Sequence, residues 1–388
     1  MHLTLKKNNK SYKHLKGRKF NPMSPLIELN DRVVNVLREL MISQKKKIKE
    51  SFEQTKKIEI GTINNFDITN VRKHSGYGGT TYLVSANLST SSHGVIPGGM
   101  VIKFPNNLEE EEKNAIALQK LCEKRQKLWD DSTEKDDLPD SIKRFPNFVF
   151  APKVLQTVTV GQTSCLMLEF VDGAVPLIDS QEKGGFDEKL KILGYSLARL
   201  HGKLSYSTNI ELYNPIFNHI KNTNIIDKDI LTNWHDVFKQ ANGSVEFIHG
   251  DSHLQNVLKT YTGNQESIAW IDAMLVEASD RMDDVGYALS FLVQKDVQTF
   301  HSQNLDPNTI ISQVSNKIIQ SWAPLVLQAY HDTVNIKRLY KTLPLDFFLG
   351  AHCIIRADLW EDPTMKWLLQ QIGNYFITHA PVNYYFNQ

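Results

Sequence analysis

Only three cysteines occur in 388 residues, at positions 122, 165 and 353. Their odd number and wide spacing exclude the disulfide framework of a small secreted domain. Cys165 lies in an apolar strand-like run and Cys122 on the apolar face of a helical segment. Both read as buried thiols, and a reducing, cytoplasmic compartment is the expectation. Long apolar runs are missing too, since none approaches the roughly 20 residues a membrane helix requires. The first apolar run is too short and too polar for a secretory signal. Neither an internal repeat nor a low-complexity segment is present. What remains is a well-packed globular composition, 41% hydrophobic and 10% aromatic, long enough for two domains or a two-lobed body.

The formal net charge is only +1, but it is unevenly spread. Residues 1–57 hold 15 Lys or Arg against 5 Asp or Glu, and the remainder holds 29 against 38. A basic arm of this kind suits nucleic acid, anionic lipid or an acidic partner. It equally suits a solvated tail and helix resting on an acidic body, which is the simpler expectation. Residues 1–25 are polar and lysine-rich, with Pro22 and Pro25, and read as a loosely ordered tail. From Leu26 to about Gln54, Val33, Val34, Leu37, Leu40 and Met41 recur at helical spacing behind a cap at Asn30 or Asp31.

Strand patterning begins near Phe66. Asp67–Val71 and Thr80–Leu88 flank the glycine-rich turn Ser75-Gly76-Tyr77-Gly78-Gly79, and Met100–Phe104 follows with Lys103 near its end. Glycines let backbone amides approach a phosphate closely. The motif is weak alone, because many hairpins carry it, and gains value from the lysine on the third strand. Leu108 to about Lys127 reads as a helix with Glu109–Glu112 in its first turn, where acids favour the dipole. Glu111 shares the face of Ala115 and Leu118 and is preferred over Glu112 as a partner for Lys103. Residues 129–144 are acidic and aperiodic and read as an exposed insertion. Val154–Val160 and Ser164–Val171 then form a hairpin across Gly161.

The densest chemistry lies in His249-Gly-Asp-Ser-His-Leu-Gln-Asn256, followed by Asp272 at the end of Ile268–Ile271. Phosphoryl transfer needs one carboxylate by the attacking hydroxyl, and an amide and a carboxylate on magnesium. Asp251 fits the first role, Asn256 and Asp272 the second. Gly263-Asn264 is a hairpin signal that would return the chain and bring Asp272 to the loop. His249 and His253 stand four apart, as in a helical zinc pair. Gly250 and the strand-like flanks argue against a helix, and no third ligand is apparent.

This segment resembles the catalytic loop H-G-D-x-H-x-x-N of the aminoglycoside phosphotransferase and choline kinase superfamily, at His249, Gly250, Asp251, His253 and Asn256. Ile271-Asp272 and Asp280-Arg-Met-Asp-Asp284-Val285 are similar to its second signature, and Leu197-Ala-Arg-Leu-His-Gly202 to its L-A-x-L-H run. Ala273 stands where an aromatic is frequent, which alters no ligand. The resemblance covers roughly residues 62–300. It implies an α+β, bilobed, protein-kinase-like fold: a small lobe with a five-stranded antiparallel sheet and a larger, mainly helical lobe. By position, the divisions are 1–60, a basic tail and amphipathic helix; 61–170, a nucleotide-binding lobe; and 171–388, a catalytic and acceptor-binding lobe.

The implied activity is transfer of the ATP γ-phosphate to a small-molecule hydroxyl, of aminoglycoside, amino-alcohol or sugar type. Asp251 would be the base, Asn256 and Asp272 the magnesium ligands, and Lys103 the phosphate contact, oriented by Glu111. Ser75, Gly76, Gly78 and Gly79 would cover the phosphates, and the backbone of Glu169 and Val171 would meet the adenine. His201, His249 and His253 read as structural. The alternatives are a protein acceptor or a non-catalytic nucleotide-binding module, although a dead kinase should lack one of Lys103, Asp251, Asn256 and Asp272. The C-terminal region offers Asp346, Asp358, Glu361 and Asp362, too scattered to mark a pocket for polycations. Because residues 1–25 carry none of this set, their deletion is expected to leave ATP turnover nearly unchanged. Loss of turnover in a truncated protein still folded by circular dichroism would contradict that.

Overall fold

The computed structural model describes residues 38–56, 59–76, 79–132, 138–146, 148–160, 163–171, 173–202, 209–241, 244–262, 265–277, 279–334 and 345–379. The expected tail, the first part of the N-terminal helix and the helix expected from Ile336 lie outside them. So do Gly78 and the tip of the Gly263-Asn264 hairpin.

Five strands form the first sheet: β1 (Ile63–Gly76), β2 (Gly79–Thr90), β3 (Gly94–Pro105), β5 (Val154–Val160) and β6 (Thr163–Glu169), in the order β1-β2-β3-β6-β5. All neighbours run antiparallel. The two-residue period sorts the side chains by face. Val84, Ala86 and Leu88 of β2, Met100 and Ile102 of β3, and Cys165 and Met167 of β6 join one buried cluster. Lys103, one residue past Ile102, is therefore turned to the opposite face. The cluster is covered by the N-terminal segment, helical over 38–43 and again in α1 (Lys45–Lys56). Leu40, Met41 and Ile48 are buried against it, and Lys47 Nζ donates to Leu155 O at 2.7 Å. The apolar face expected of that helix thus meets the sheet wherever it is described.

Next, α2 (Leu108–Asp130) begins at Asn107, whose side chain accepts from Glu110 N–H, with Glu109, Glu110 and Glu111 in its first turn. Its buried face, Leu118, Leu121 and Cys122, belongs to the larger core of the helical part. That core also takes Leu138, Ile142 and Phe145, buried to 6%, 2% and 4% exposure. The exposed insertion expected over 129–144 is corrected at Leu138 and Ile142, while residues 133–137 lie outside the described ones. Spacing of four and three residues carries an apolar face that the acidic composition disguised.

The rest is mainly helical. α3 (Gly185–His201), α4 (Asn214–Thr223), α5 (Lys228–Gln240), α6 (Arg281–Ser302), α7 (Pro307–Lys317), α8 (Ala323–Val334), α9 (Leu345–Ala357) and α10 (Pro363–His379) surround one apolar core. The single helix expected from Thr309 to Tyr330 is α7 and α8, joined by a π turn at Ile318–Trp322. α6 is buried along most of its length and packs on α9. Among the described residues no helix is long and apolar enough to cross a membrane.

Short strands set the loops of interest. β9 (Val257–Thr262) and β10 (Gln265–Trp270) form the expected hairpin, flanked by β4 (Phe148–Phe150) and β7 (Val175–Pro176). β8 (Phe247–Ile248) pairs with β11 (Val276–Glu277), so the segments on either side of the hairpin are clamped at both ends. Met41 is fully buried between helix and sheet, so Met41→Ala should cost about 2–5 kcal/mol. A lowered melting temperature checks this, and an unchanged one would mean the N-terminal segment does not pack there in solution.

Candidate active site

Lys103 stands on the face of β3 away from the core and is mostly enclosed, its side chain 11% exposed. Its ammonium meets Glu111 Oε1 at 2.5 Å and also the Asp272 carboxylate. Burial pulls its pKa down, but Asp272 and Glu111 outweigh that and hold it above the ordinary lysine value. Glu112, one residue round the helix, instead accepts from Thr157 Oγ1 at 2.7 Å.

The loop 249–256 is held from beneath by one carboxylate. Asp284 accepts from His249 N at 2.7 Å and Gly250 N at 2.8 Å. His201 Nε2 lies 2.9 Å from the same carboxylate, and its Nδ1 lies 2.8 Å from Tyr330 Oη. A neutral His201 with its proton on Nε2 satisfies both contacts. Burial would raise the Asp284 pKa, but the bonds from His201 and the His249 N–H outweigh it and hold it below the usual carboxylate range. Ser252 Oγ donates to Asp284 O at 2.6 Å. Gly250 has φ +77°, and a Cβ there would stand 2.2 Å from Met274 O, so only glycine fits the turn. His249 and His253 serve this loop: His249 Nδ1 accepts from Asp251 N, and His253 Nδ1 from Gln255 N, both at 3.3 Å. His253 is kept neutral at pH 7, its pKa pushed down to about 4 by burial.

Asp251, at the loop's tip with its side chain only 14% exposed, has both oxygens engaged. Asn256 Nδ2 donates to Asp251 O at 2.8 Å and to Oδ2 at 3.0 Å; Tyr287 Oη donates to Oδ1 at 2.5 Å. The Asn256 amide nitrogen is spent on Asp251, and its Oδ1 has no partner among the described residues. Two backbone bonds tie the loop to the returning strand, Ile271 N to Asn256 O at 3.0 Å and Met274 N to His249 O at 2.8 Å. Asp272 between them adopts φ +58°, a left-handed conformation costing about 1–3 kcal/mol in a non-glycine residue. The turn leaves its carboxylate 45% exposed and reaching Lys103. Asn256 Oδ1 and the second Asp272 oxygen are hard donors of the kind magnesium takes. No group of three or more His, Cys, Asp or Glu side chains arranged for a metal occurs among the described residues.

The remaining sequence-derived residues lie at the sheet's edge. Ser75 pairs with Thr80 and Gly76 with Gly79 where β1 turns into β2. Gly79 has φ +127°, and a Cβ there would strike Phe104 O at 2.1 Å. Glu169, at the end of β6, donates its N–H to Lys153 O at 2.8 Å, and its side chain accepts from Lys153 N at 3.1 Å. Val171 O accepts from Ala174 N at 3.2 Å, while the Val171 N–H has no described partner. Sequence reasoning missed Tyr287, which reads as one more apolar residue of α6. Its ring meets His352 edge-on at 5.1 Å, and His352 Nε2 lies 2.6 Å from Asp283 Oδ1.

No protein-family model matches the chain, and no curated protein matches it. Among solved structures, the microcompartment-associated aminopropanol kinase superposes with a TM-score of 0.40 at 12% identity, over 87% of this chain and 95% of that one. Spectinomycin phosphotransferase APH(9)-Ia, in complex with ADP and spectinomycin, gives 0.37 at 14%, over 87% and 95%. The choline kinase LicA from Streptococcus pneumoniae gives 0.36 at 11%, over 87% and 99%. Likeness at this level assigns no activity, which has to come from the site itself.

Asp284→Ala leaves two backbone N–H groups and His201 without their acceptor and should cost about 3–5 kcal/mol. A carboxylate with a depressed folded pKa stabilises fully above its unfolded value and loses that contribution as pH falls through the folded one. The gap in melting temperature between wild type and Asp284→Ala should therefore be constant above about pH 5 and narrow below about pH 4. A gap independent of pH would contradict the assignment.

Proposed function

We propose that the chain is an ATP- and magnesium-dependent phosphotransferase that moves the γ-phosphate to a hydroxyl of a small molecule, with Asp251 as the catalytic base. The observation that supports it best is a convergence across the chain. Lys103, Glu111 and Asp272 form one ionic cluster, although Asp272 lies 169 residues after Lys103, and the Asp251–Asn256 pair sits on the adjoining loop. The match to H-G-D-x-H-x-x-N supports a small-molecule acceptor.

In this reading Asp251 orients the acceptor hydroxyl and takes its proton. Tyr287 and Asn256 fix the carboxylate from either side. Lys103 would turn from Asp272 to the α- and β-phosphates, with Glu111 holding it in place. The turn around Ser75, Gly76, Gly78 and Gly79 would cover the phosphates, and the Glu169–Val171 backbone, with its unspent Val171 N–H, would meet the adenine. Asn256 and Asp272 would hold magnesium, which when bound neutralises charge on the β- and γ-phosphates.

Asp251→Asn is expected to lower turnover by roughly 10²–10⁴-fold while nucleotide still binds with magnesium. Turnover within threefold of wild type would contradict Asp251 as base. Asp272→Ala should weaken nucleotide binding only when magnesium is present, and Lys103→Ala should weaken it with or without the metal. Calorimetry with ATP under both conditions separates them, and identical behaviour of the two variants would refute at least one role.

A further inference from the structure

Beside Asp251, α6 presents a row of residues four apart: Tyr287, Phe291 and Lys295. That spacing puts them on one face, with Tyr287 bound to Asp251 and Lys295 two turns away. His253 of the loop stacks on Phe291, the ring centroids 4.4 Å apart and the planes at 16°. Two cations lie against that same ring. Arg356 Cζ is 5.2 Å from its centroid and Lys295 Nζ 5.3 Å.

Neither cation has a carboxylate at ion-pair distance among the described residues. Arg356 is buried, with Cζ also 4.4 Å from the Tyr287 centroid. It donates only to neutral oxygens, Ser290 Oγ at 2.8 Å and Gln294 Oε1 at 3.2 Å, and its Nη2 is enclosed without a partner. Lys295 is half-buried; burial holds its pKa below the ordinary value, and the opposing field of Asp179 does not restore it. Lys103, Lys259 and Lys317, by contrast, meet Glu111, Glu182 and Asp296. Keeping a guanidinium and an ammonium together in a low dielectric without an anion is costly, and ring faces offset only part of it.

Resting on the phosphotransferase reading, we infer that Lys295 and Arg356 recognise an anionic group of the acceptor, a carboxylate or a phosphate ester. Lys295 makes the contact, since it is reachable, and Arg356 supplies charge from behind the Phe291 ring. Eight residues of helix separate Tyr287 from Lys295, about 12 Å along the axis, so the anionic group lies several bonds from the hydroxyl held by Asp251. The neutral ring of His253, stacked on the buried Phe291, packs on the part between. A polycation would meet two like charges here and is excluded by the same field.

The test is calorimetric binding to the full chain loaded with ADP and magnesium, where no γ-phosphate can be transferred. The probes are glycerate and gluconate, glycerol 3-phosphate and glucose 6-phosphate, neutral glycerol and glucose, and cationic choline. At least one anion should bind about tenfold or more tighter than its neutral counterpart, and the carboxylate and phosphate arms tell which anion the site prefers. Added salt should weaken only the anions. Lys295→Met should abolish the preference, and Lys295→Arg should retain it, which separates lost charge from lost folding. Tighter binding of choline, equal binding of anion and neutral, no anion bound by about 10 mM, or a preference that survives Lys295→Met would each overturn the proposal. ATP consumption with the same panel reads the other question. Selective anion binding without magnesium-dependent ATP use would leave the anion site standing and remove the phosphotransferase reading.

Discussion

A single enclosed carboxylate sets the geometry on which the rest depends. Asp284 is fully buried, and taking it out of water is tolerable only because two backbone N–H groups and His201 converge on it. Those bonds fix the peptide planes of His249 and Gly250. Fixing them decides where Asp251 and Asn256 point, since both follow within six residues of a turn closed by Gly250. The carboxylate belongs to the first turn of α6, the helix that also carries Tyr287 to the other side of Asp251. Loop and helix are thereby one rigid unit, and the position of Asp251 is set by the packing of the helical core.

The second constraint is the bridge from Lys103 to Asp272, which joins the sheet to the loops of the helical part. Asp272 reaches it from a left-handed conformation held by backbone bonds on both flanks, Ile271 N to Asn256 O and Met274 N to His249 O. Strain of that kind persists where neighbours over-determine it. The ammonium has two carboxylates against one positive charge, so the cluster carries net negative charge with exposed oxygen. That is a poor resting arrangement for a structural ion pair and a suitable one for a cation to complete. On the far side of Asp251 the sign reverses, with Lys295 and Arg356 on Phe291. The charge thus changes sign across Asp251, and in the proposed reading the acceptor hydroxyl would stand at that change.

Much of this was legible in the chain because it is local. The loop spacing from His249 to Asn256, the alternation that puts Lys103 opposite Ile102, and the helical phase that separates Glu111 from Glu112 need only a few consecutive residues. The neighbours β1-β2-β3 and β5-β6 follow from short turns, whereas the β3–β6 pairing that joins them spans the intervening helix and is not local. Other features were hidden for physical reasons. Tyr287 sits among apolar neighbours in a buried helix, and only the tertiary approach of a loop 36 residues away gives its hydroxyl a partner. β4, β7 and β11 span two or three residues and carry no period. Residues 138–145 bury Leu138, Ile142 and Phe145 behind an acidic segment, where composition over the window outweighed the spacing of three residues. Lys295 and Arg356 lie on different helices, and only packing brings them to one ring.

The central claim is that Asp251, Asn256, Asp272 and Lys103 make one phosphoryl-transfer site, and a crystal structure with magnesium and a non-hydrolysable ATP analogue tests it most directly. The account predicts Asn256 Oδ1 and an Asp272 oxygen on the metal at about 2.1 Å, Lys103 moved from Asp272 onto the α- and β-phosphates, and the γ-phosphate facing Asp251. Nucleotide bound away from Lys103, or a metal that takes neither Asn256 nor Asp272, would contradict it.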